Sequence, residues 1–356
     1  MSILEKIKKN STIKDTAILS KSKFFTDKDM VATEIPAINI ALSGRIDGGL
    51  TPGLTVWAGP SKHFKTCFSL LMAKAYLDKY PEAALLFYDS EFGTPQSYFD
   101  TFGIDTSRVL HTPLKNVEEL KFDIVKQLEA VDRDDKLIII IDSVGNLASK
   151  KEVDDAMDGK SVADMSRAKQ LKSLFRMVTP YLVMKDIPMV AVNHTYKEIS
   201  LYPKEILGGG TGIYYSADNI FILGRQQEKD GTDTIGYNFI INVEKSRYVR
   251  EKSKIPVTVS FDSGLSKWSG LLDIAMEGGF VVKPSNGWYS KVDVSTGAVE
   301  EKKYRNKDTN CAEFWDSILE STEFAEYVKK QYALSSGQLM QQEEPDIDLD
   351  DERGIR

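Results

Sequence analysis

The chain has 356 residues, 42% hydrophobic and 28% charged, with a formal net charge of −7, a size and balance suited to one large core with a small satellite domain. No apolar run approaches the roughly 20 residues of a membrane-spanning helix, and the lysine-spotted N-terminus lacks the apolar centre of a secretory signal, so the expectation is a cytoplasmic protein with no membrane partner. Two cysteines, Cys67 and Cys311, and three scattered histidines, His63, His111 and His194, exclude a disulfide framework and a structural zinc site.

In chain order, "ILEKIKKNSTIKDTAILS", residues 3–20, places apolar residues at helical spacing and predicts a short helical arm within residues 1–30. From Ile35 onward, strand-like runs ("LTVWAG", "AALLFYDSE", "KLIIIIDSV", "PMVAVNH") alternate with helix-like ones ("FSLLMAKAYLDKY", "VEELKFDIVKQLEAV", "SRAKQLKSLFRMVTPYLVMKD"). Further strands are read at "NIFILG", "GYNFIINVEKS" and "IPVTVSF". This pattern predicts an α/β core, residues 31–272, built on a mostly parallel twisted sheet with helices on both faces. A small C-terminal α/β region, 273–335, follows, with one helix read over residues 312–334. The tail, 336–356, is polar and reads as disordered. From Gln341 it carries seven acids against Arg353 and Arg356, net −5, which leaves −2 for the first 340 residues. The body is therefore near neutral and has room for local basic patches.

"GPSKHFKT", residues 59–66, nearly spells G-x-x-x-x-G-K-[ST], with Phe64 at the second glycine. In a phosphate loop of this kind the backbone N–H groups of Gly59, Pro60, Ser61, Lys62, His63 and Phe64 (proline excepted) turn inward, Lys65 meets the β/γ-phosphates of ATP, and the Thr66 hydroxyl holds Mg²⁺. Phe64 is expected at negative φ, where a Cβ is tolerated, with the chain already entering its helix. Three other strands end polar: at Asp89 and Glu91, at Asp142, and at Asn193 and His194. The carboxyl ends of parallel strands line one crevice. There Glu91 would orient and deprotonate the attacking water, Asp142 would reach Mg²⁺ through water, and His194 would feel the γ-phosphate. Each residue alone is explained as a strand-end cap or a solvated side chain. The four together argue for a nucleotide site.

The order of these motifs resembles the RecA/RadA family of strand-exchange recombinases, most closely its UvsX-like phage branch. The resemblance runs over residues 30–335 through "IPAINIALSGRIDGGLTPGLTVWAGPSKHFKT", "LFYDSEFG", "IIIIDSVGNLASKKE", "VNHTY" and "LGGGTGIYYSADNIFILG". It implies a RecA-like P-loop ATPase core, Glu91 as catalytic glutamate, Asp142 as the Walker B aspartate and Tyr98 stacked on adenine. Lys245 and Arg247 in "NVEKSRY" match cations that reach a neighbouring subunit's γ-phosphate, and the N-terminal arm matches a polymerisation element. His194 departs from the glutamine common in bacterial members.

The resemblance also implies two DNA loops, at about 150–167 and 195–211. The first holds at least as many acids as bases, so Arg167, at its end, and Lys169 and Lys172, on the helix after it, are the better phosphate partners. In the second, Lys197 and Lys204 suit phosphates and Gly208, Gly209 and Gly210 allow close backbone approach, while Tyr202, Ile199 or, from the first loop, Met157 are the candidate wedges between bases. The implied activity is a DNA-dependent ATPase that forms helical filaments of itself on single-stranded DNA and pairs it with a homologous duplex. A single-strand-binding protein and a loader would assist it. Two rivals share the core: a ring-forming helicase motor, and a non-catalytic scaffold gated by nucleotide.

Overall fold

The computed structural model describes residues 1–24, 28–159, 166–198 and 205–334. Strands β1 (Gly53–Ala58), β2 (Ala84–Asp89), β3 (Val109–Pro113), β4 (Leu137–Asp142) and β5 (Pro188–Asn193) alternate with helices, and all but β3 are strands that the sequence predicts. They are followed by a short hairpin, β6 (Thr195–Lys197) and β7 (Glu205–Leu207), then β8 (Asn219–Asp230), β9 (Asp233–Lys245), β10 (Lys254–Ser260) and β11 (Gly264–Leu265). The main sheet runs β11-β10-β9-β8-β1-β5-β4-β2-β3. From β3 to β8 every pairing is parallel, and from β8 outward every pairing is antiparallel. The central order β1-β5-β4-β2 puts four strand ends side by side at one edge.

The helices are α1 (Ile3–Asn10), α2 (Pro36–Ser43), α3 (Lys65–Lys79), α4 (Gln96–Thr101), α5 (Val117–Ala130), α6 (Lys150–Met157), α7 (Ser166–Met184), α8 (Thr211–Ser216) and α9 (Leu271–Glu277). The isoleucine run of β4 shows why the sheet is covered on both sides. Ile138 and Ile140 join the cluster containing Phe68 and Leu70 of α3, while Ile139 and Ile141 join Leu120 and Ile124 of α5 and Leu174 and Phe175 of α7. Alternate side chains point to opposite faces, and each fully buried isoleucine contributes about 1.5–3 kcal/mol.

Beyond α9 lies a small sheet, β12 (Val281–Ser285), β13 (Trp288–Asp293), β14 (Ala298–Val299) and β15 (Tyr304–Arg305). The helix read over 312–334 is two helices, α10 (Ala312–Leu319) and α11 (Thr322–Tyr332). Ser321 breaks them, its hydroxyl accepting from the Phe324 N–H as an N-cap. Phe314, Trp315, Phe324 and Val328 from this pair join the apolar cluster that α2 and α3 build on the main sheet. By contrast α1, closed by a Ser2/Glu5 capping box, buries none of its residues and leaves Ile3, Leu4 and Ile7 exposed.

Candidate active site

The phosphate loop leaves the C-terminal end of β1. Gly59 has φ +155°, and a Cβ there would stand 3.2 Å from the Leu223 carbonyl oxygen of β8, so the close strand contact requires glycine. Lys65 opens α3 with only 6% of its surface exposed. Its Nζ donates to the Pro60 carbonyl at 2.7 Å, folding the side chain into the loop. Burial pushes its pKa down, opposed by the Glu91 and Asp142 carboxylates. His63 Nδ1 lies 2.9 Å from the Ser61 carbonyl oxygen, and Ser61 and Lys62 are exposed.

The expectation of negative φ at Phe64 is overturned. Phe64 has φ +59° and ψ 14°, the left-handed conformation a glycine would adopt without penalty. For a residue with a Cβ that conformation costs about 1–2 kcal/mol. The ring is packed 5.2 Å from Phe239 and 6.3 Å from Phe68, which offsets the strain. The loop keeps the glycine geometry and holds it by packing.

Asp142 ends β4, 2% exposed, and accepts from the Thr66 hydroxyl at 2.8 Å through Oδ2. Thr94 approaches the same oxygen at 3.4 Å. Oδ1 is buried without a hydrogen-bond partner. Burial, with Glu91 and Asp89 nearby, pushes the carboxyl pKa up to about 6, against the Thr66 hydrogen bond. A buried carboxylate oxygen lacking a donor, beside a hydroxyl at the start of a helix, fits a Mg²⁺–water shell, which would satisfy both hard oxygens.

Glu91 lies past the end of β2. Its Oε1 accepts from the Ser143 hydroxyl at 2.6 Å and sits 2.7 Å from His194 Nε2. The His194 hydrogen bond is the main reason its pKa falls to about 2, with Ser143 and Lys65 adding and burial opposing. Asp89 shapes the turn, accepting from the Glu91 and Phe92 N–H groups at 3.0 and 2.8 Å. Sequence reasoning gives Ser143 no role, and it reads Asp89 only as a polar strand end. Each lies within two positions of a residue singled out, but hydrogen-bond aim does not register in spacing.

Tyr98 is 44% exposed on α4. Lys245 and Arg247 are not brought to this cluster. Lys245 is paired with Ile220, near the start of β8, and its Nζ donates to the Tyr214 and Tyr215 carbonyls at 2.8 and 3.4 Å. Burial, with Arg247 nearby, pushes its pKa down. Arg247 pairs with Asp218, whose other oxygen accepts from the Leu54 N–H at 2.9 Å. This places Arg247 level with Leu54, five residues and roughly 17 Å along β1 from the phosphate loop.

Of the candidate DNA residues, Lys169 and Lys172 are exposed on α7. Arg167 is otherwise engaged: its guanidinium donates to the carbonyls of Leu147, Val144 and Gly145 at 2.6, 3.1 and 2.7 Å. Gly209 and Gly210, at φ +85° and +80°, lie against Leu171 and Ala168, so the end of the second loop sits on the first turns of α7. Gly208 donates to the His194 carbonyl and accepts from the Asn193 amide, both at 2.9 Å, joining that loop to the β5 end. Lys197 is exposed on β6 opposite Glu205. Ile199, Tyr202 and Lys204 lie outside the described residues.

A family model described as the RecA N-terminal domain matches residues 2–266. One described as "Bacteriophage T4, Recombination and repair protein, C-terminal domain" matches residues 268–328. The chain is 53% identical over 332 residues to a "Recombination and repair protein" of Enterobacteria phage T4, covering 92% of this chain and 85% of that one. It is 26% identical over 344 residues to a "Protein RecA" of Trichormus variabilis, covering 91% and 88%. With a "Protein RecA" of Streptomyces avermitilis the identity is 25% over 268 residues, covering 74% and 68%.

Proposed function

The chain belongs to the RecA family of recombination and repair proteins, which act by DNA strand exchange, and from that premise we propose that it polymerises on single-stranded DNA and hydrolyses ATP between neighbouring subunits. The observation that carries the ATPase reading is the cluster at the strand ends: Thr66 on Asp142, the unpartnered Asp142 oxygen, and Glu91 held by Ser143 and His194. Bound ATP and Mg²⁺ would supply the transferable phosphoryl group and the charge that offsets its oxygens. The phosphate loop orients the nucleotide, Lys65 contacts its terminal phosphates, and Thr66 and Asp142 hold the metal and its water.

Glu91 is ionised far below neutral pH and is aimed by two hydrogen bonds, which suits it to orient an attacking water and take its proton. Lys245 and Arg247 complete the pocket of the adjacent subunit, and Tyr98 packs on the base. The link from His194 through Gly208 to the second loop supports a route by which nucleotide state changes the grip on DNA. DNA contacts are assigned to Lys169, Lys172, Lys197 and the Gly208–Gly210 backbone, on single strands and on the incoming duplex. In an infected cell the protein would work in the host cytoplasm with single-strand-binding and loader proteins.

The deciding measurement is ATPase activity with and without single-stranded DNA, on samples also imaged by electron microscopy. DNA-stimulated turnover with helical filaments is expected. Nucleotide binding without turnover would overturn the enzyme reading, and closed six-fold rings alone would overturn the filament.

A further inference from the structure

We propose that the phosphate loop is kept in its binding conformation by an external brace, Phe239 and Arg225, which takes over the role of the missing glycine. This rests on the nucleotide-site reading above. The loop contains two non-glycine residues in the left-handed region, Lys62 at φ +61° and Phe64 at φ +59°. Such residues turn successive N–H groups to one side and create the concavity that takes an anion. Each is strained alone, so something outside the loop has to hold it.

Both holders come from the antiparallel side of the sheet. Phe239 of β9, fully buried, lies 5.2 Å from the Phe64 ring, 6.3 Å from Phe68 and 6.4 Å from His63. Arg225 of β8 donates from Nη1 to the Lys62 carbonyl at 3.0 Å, and its guanidinium rests 4.5 Å from the centre of the Tyr237 ring. Tyr237 in turn lies 6.1 Å from Phe239, so the two braces form one layer. Phe239 fixes Phe64 and Arg225 fixes Lys62, each at a left-handed position. Neither lies within the loop itself. Both are positioning residues, acting on affinity through the population of the loop's binding-competent form.

The test uses the full chain and a fluorescent ADP analogue (mant-ADP) with Mg²⁺, titrated against wild type, Phe239→Ala, Phe64→Gly and the double variant. With the brace removed, a strained Phe64 leaves the left-handed region, and Phe239→Ala weakens the Kd about tenfold. When Phe64→Gly is already present, the same substitution weakens it less than about threefold, because glycine holds that conformation unaided. Thermal unfolding separates this from general damage, since the second substitution restores the Kd and does not restore the Tm. An equal loss in both backgrounds, or no loss in either, overturns the brace. Absence of analogue binding by wild type overturns the nucleotide-site reading and the brace with it. If Phe239→Ala does not fold, the surface variant Arg225→Ala with Lys62→Gly gives the same comparison, with the same outcome sinking the idea.

Discussion

The two ends of β1 differ in kind. At its C-terminal end the polar groups are buried and converge: Lys65 is 6% exposed, Asp142 2%, and Glu91 is held by two partners. At its N-terminal end Arg247 keeps 67% of its side chain exposed while it touches Asp218. One end is organised around a ligand of its own, and the other presents a cation outward. The separation of roughly 17 Å along the strand prevents Arg247 from serving its own loop. Under the proposed function, a chain built this way carries two half-sites that face different neighbours, and polymerisation completes the catalytic centre.

The strongest way to break that comparison is to separate the halves. Glu91→Gln should cut DNA-stimulated kcat by about 10²–10⁴ with little change in ATP affinity. Arg247→Ala should cost about 10³-fold or more. Mixed in equal amounts, the two inactive proteins should recover about a quarter of wild-type turnover, because one interface in four joins an intact Glu91 to an intact Arg247. A mixture as dead as its components would show that both residues act on the same subunit's nucleotide.

Much of the C-terminal edge was legible because a buried strand ending in a carboxylate is a pattern of one dimension: "KLIIIIDSV" predicts both β4 and Asp142. The mostly parallel α/β sheet likewise followed from alternating strand and helix runs, and the order of motifs carried the resemblance to the RecA family. The conformation of Phe64 was not legible. Its φ is decided by Phe239, far away in sequence, and local reasoning chose the cheaper negative value. The break at Ser321 was missed for a different reason: the apolar spacing on either side stays helical, and only the cap interrupts it. Arg167 looked like a phosphate ligand by charge, yet three carbonyls near the active site take its guanidinium.

A smaller effect separates the buried end from the exposed one by pH. Asp142 has its pKa raised from 3.8 to about 6. The folded state then binds a proton more tightly than the unfolded one, so the nucleotide-free fold loses stability as pH rises between those values. Asp142→Asn removes that loss and should stabilise the nucleotide-free protein by on the order of 3 kcal/mol above pH 7, with the gain vanishing below about pH 4. Thermal unfolding across pH 4–8 measures it. Under the proposed function, adding Mg²⁺ and nucleotide should reverse the sign, because a charged carboxylate holds a metal-bound water more strongly than a neutral amide. A gain independent of pH would remove the buried charge as its cause.

The smallest expected effects lie on α7, where the cations of one helix divide by what they touch. Lys169 and Lys172 are exposed beside the glycines of the second loop. If each meets a phosphate, its replacement by alanine lowers the salt slope of single-strand binding by about 0.7. Arg167→Ala should leave that slope unchanged, since its charge is spent on the Val144, Gly145 and Leu147 carbonyls. It should instead lower turnover at saturating DNA, because those carbonyls belong to the segment that follows Asp142 and Ser143. Binding titrations from 50 to 400 mM salt, paired with ATPase rates at saturation, separate the two roles. A slope change for Arg167→Ala equal to that of Lys172→Ala would return the arginine to the DNA surface and leave the segment after β4 without its anchor.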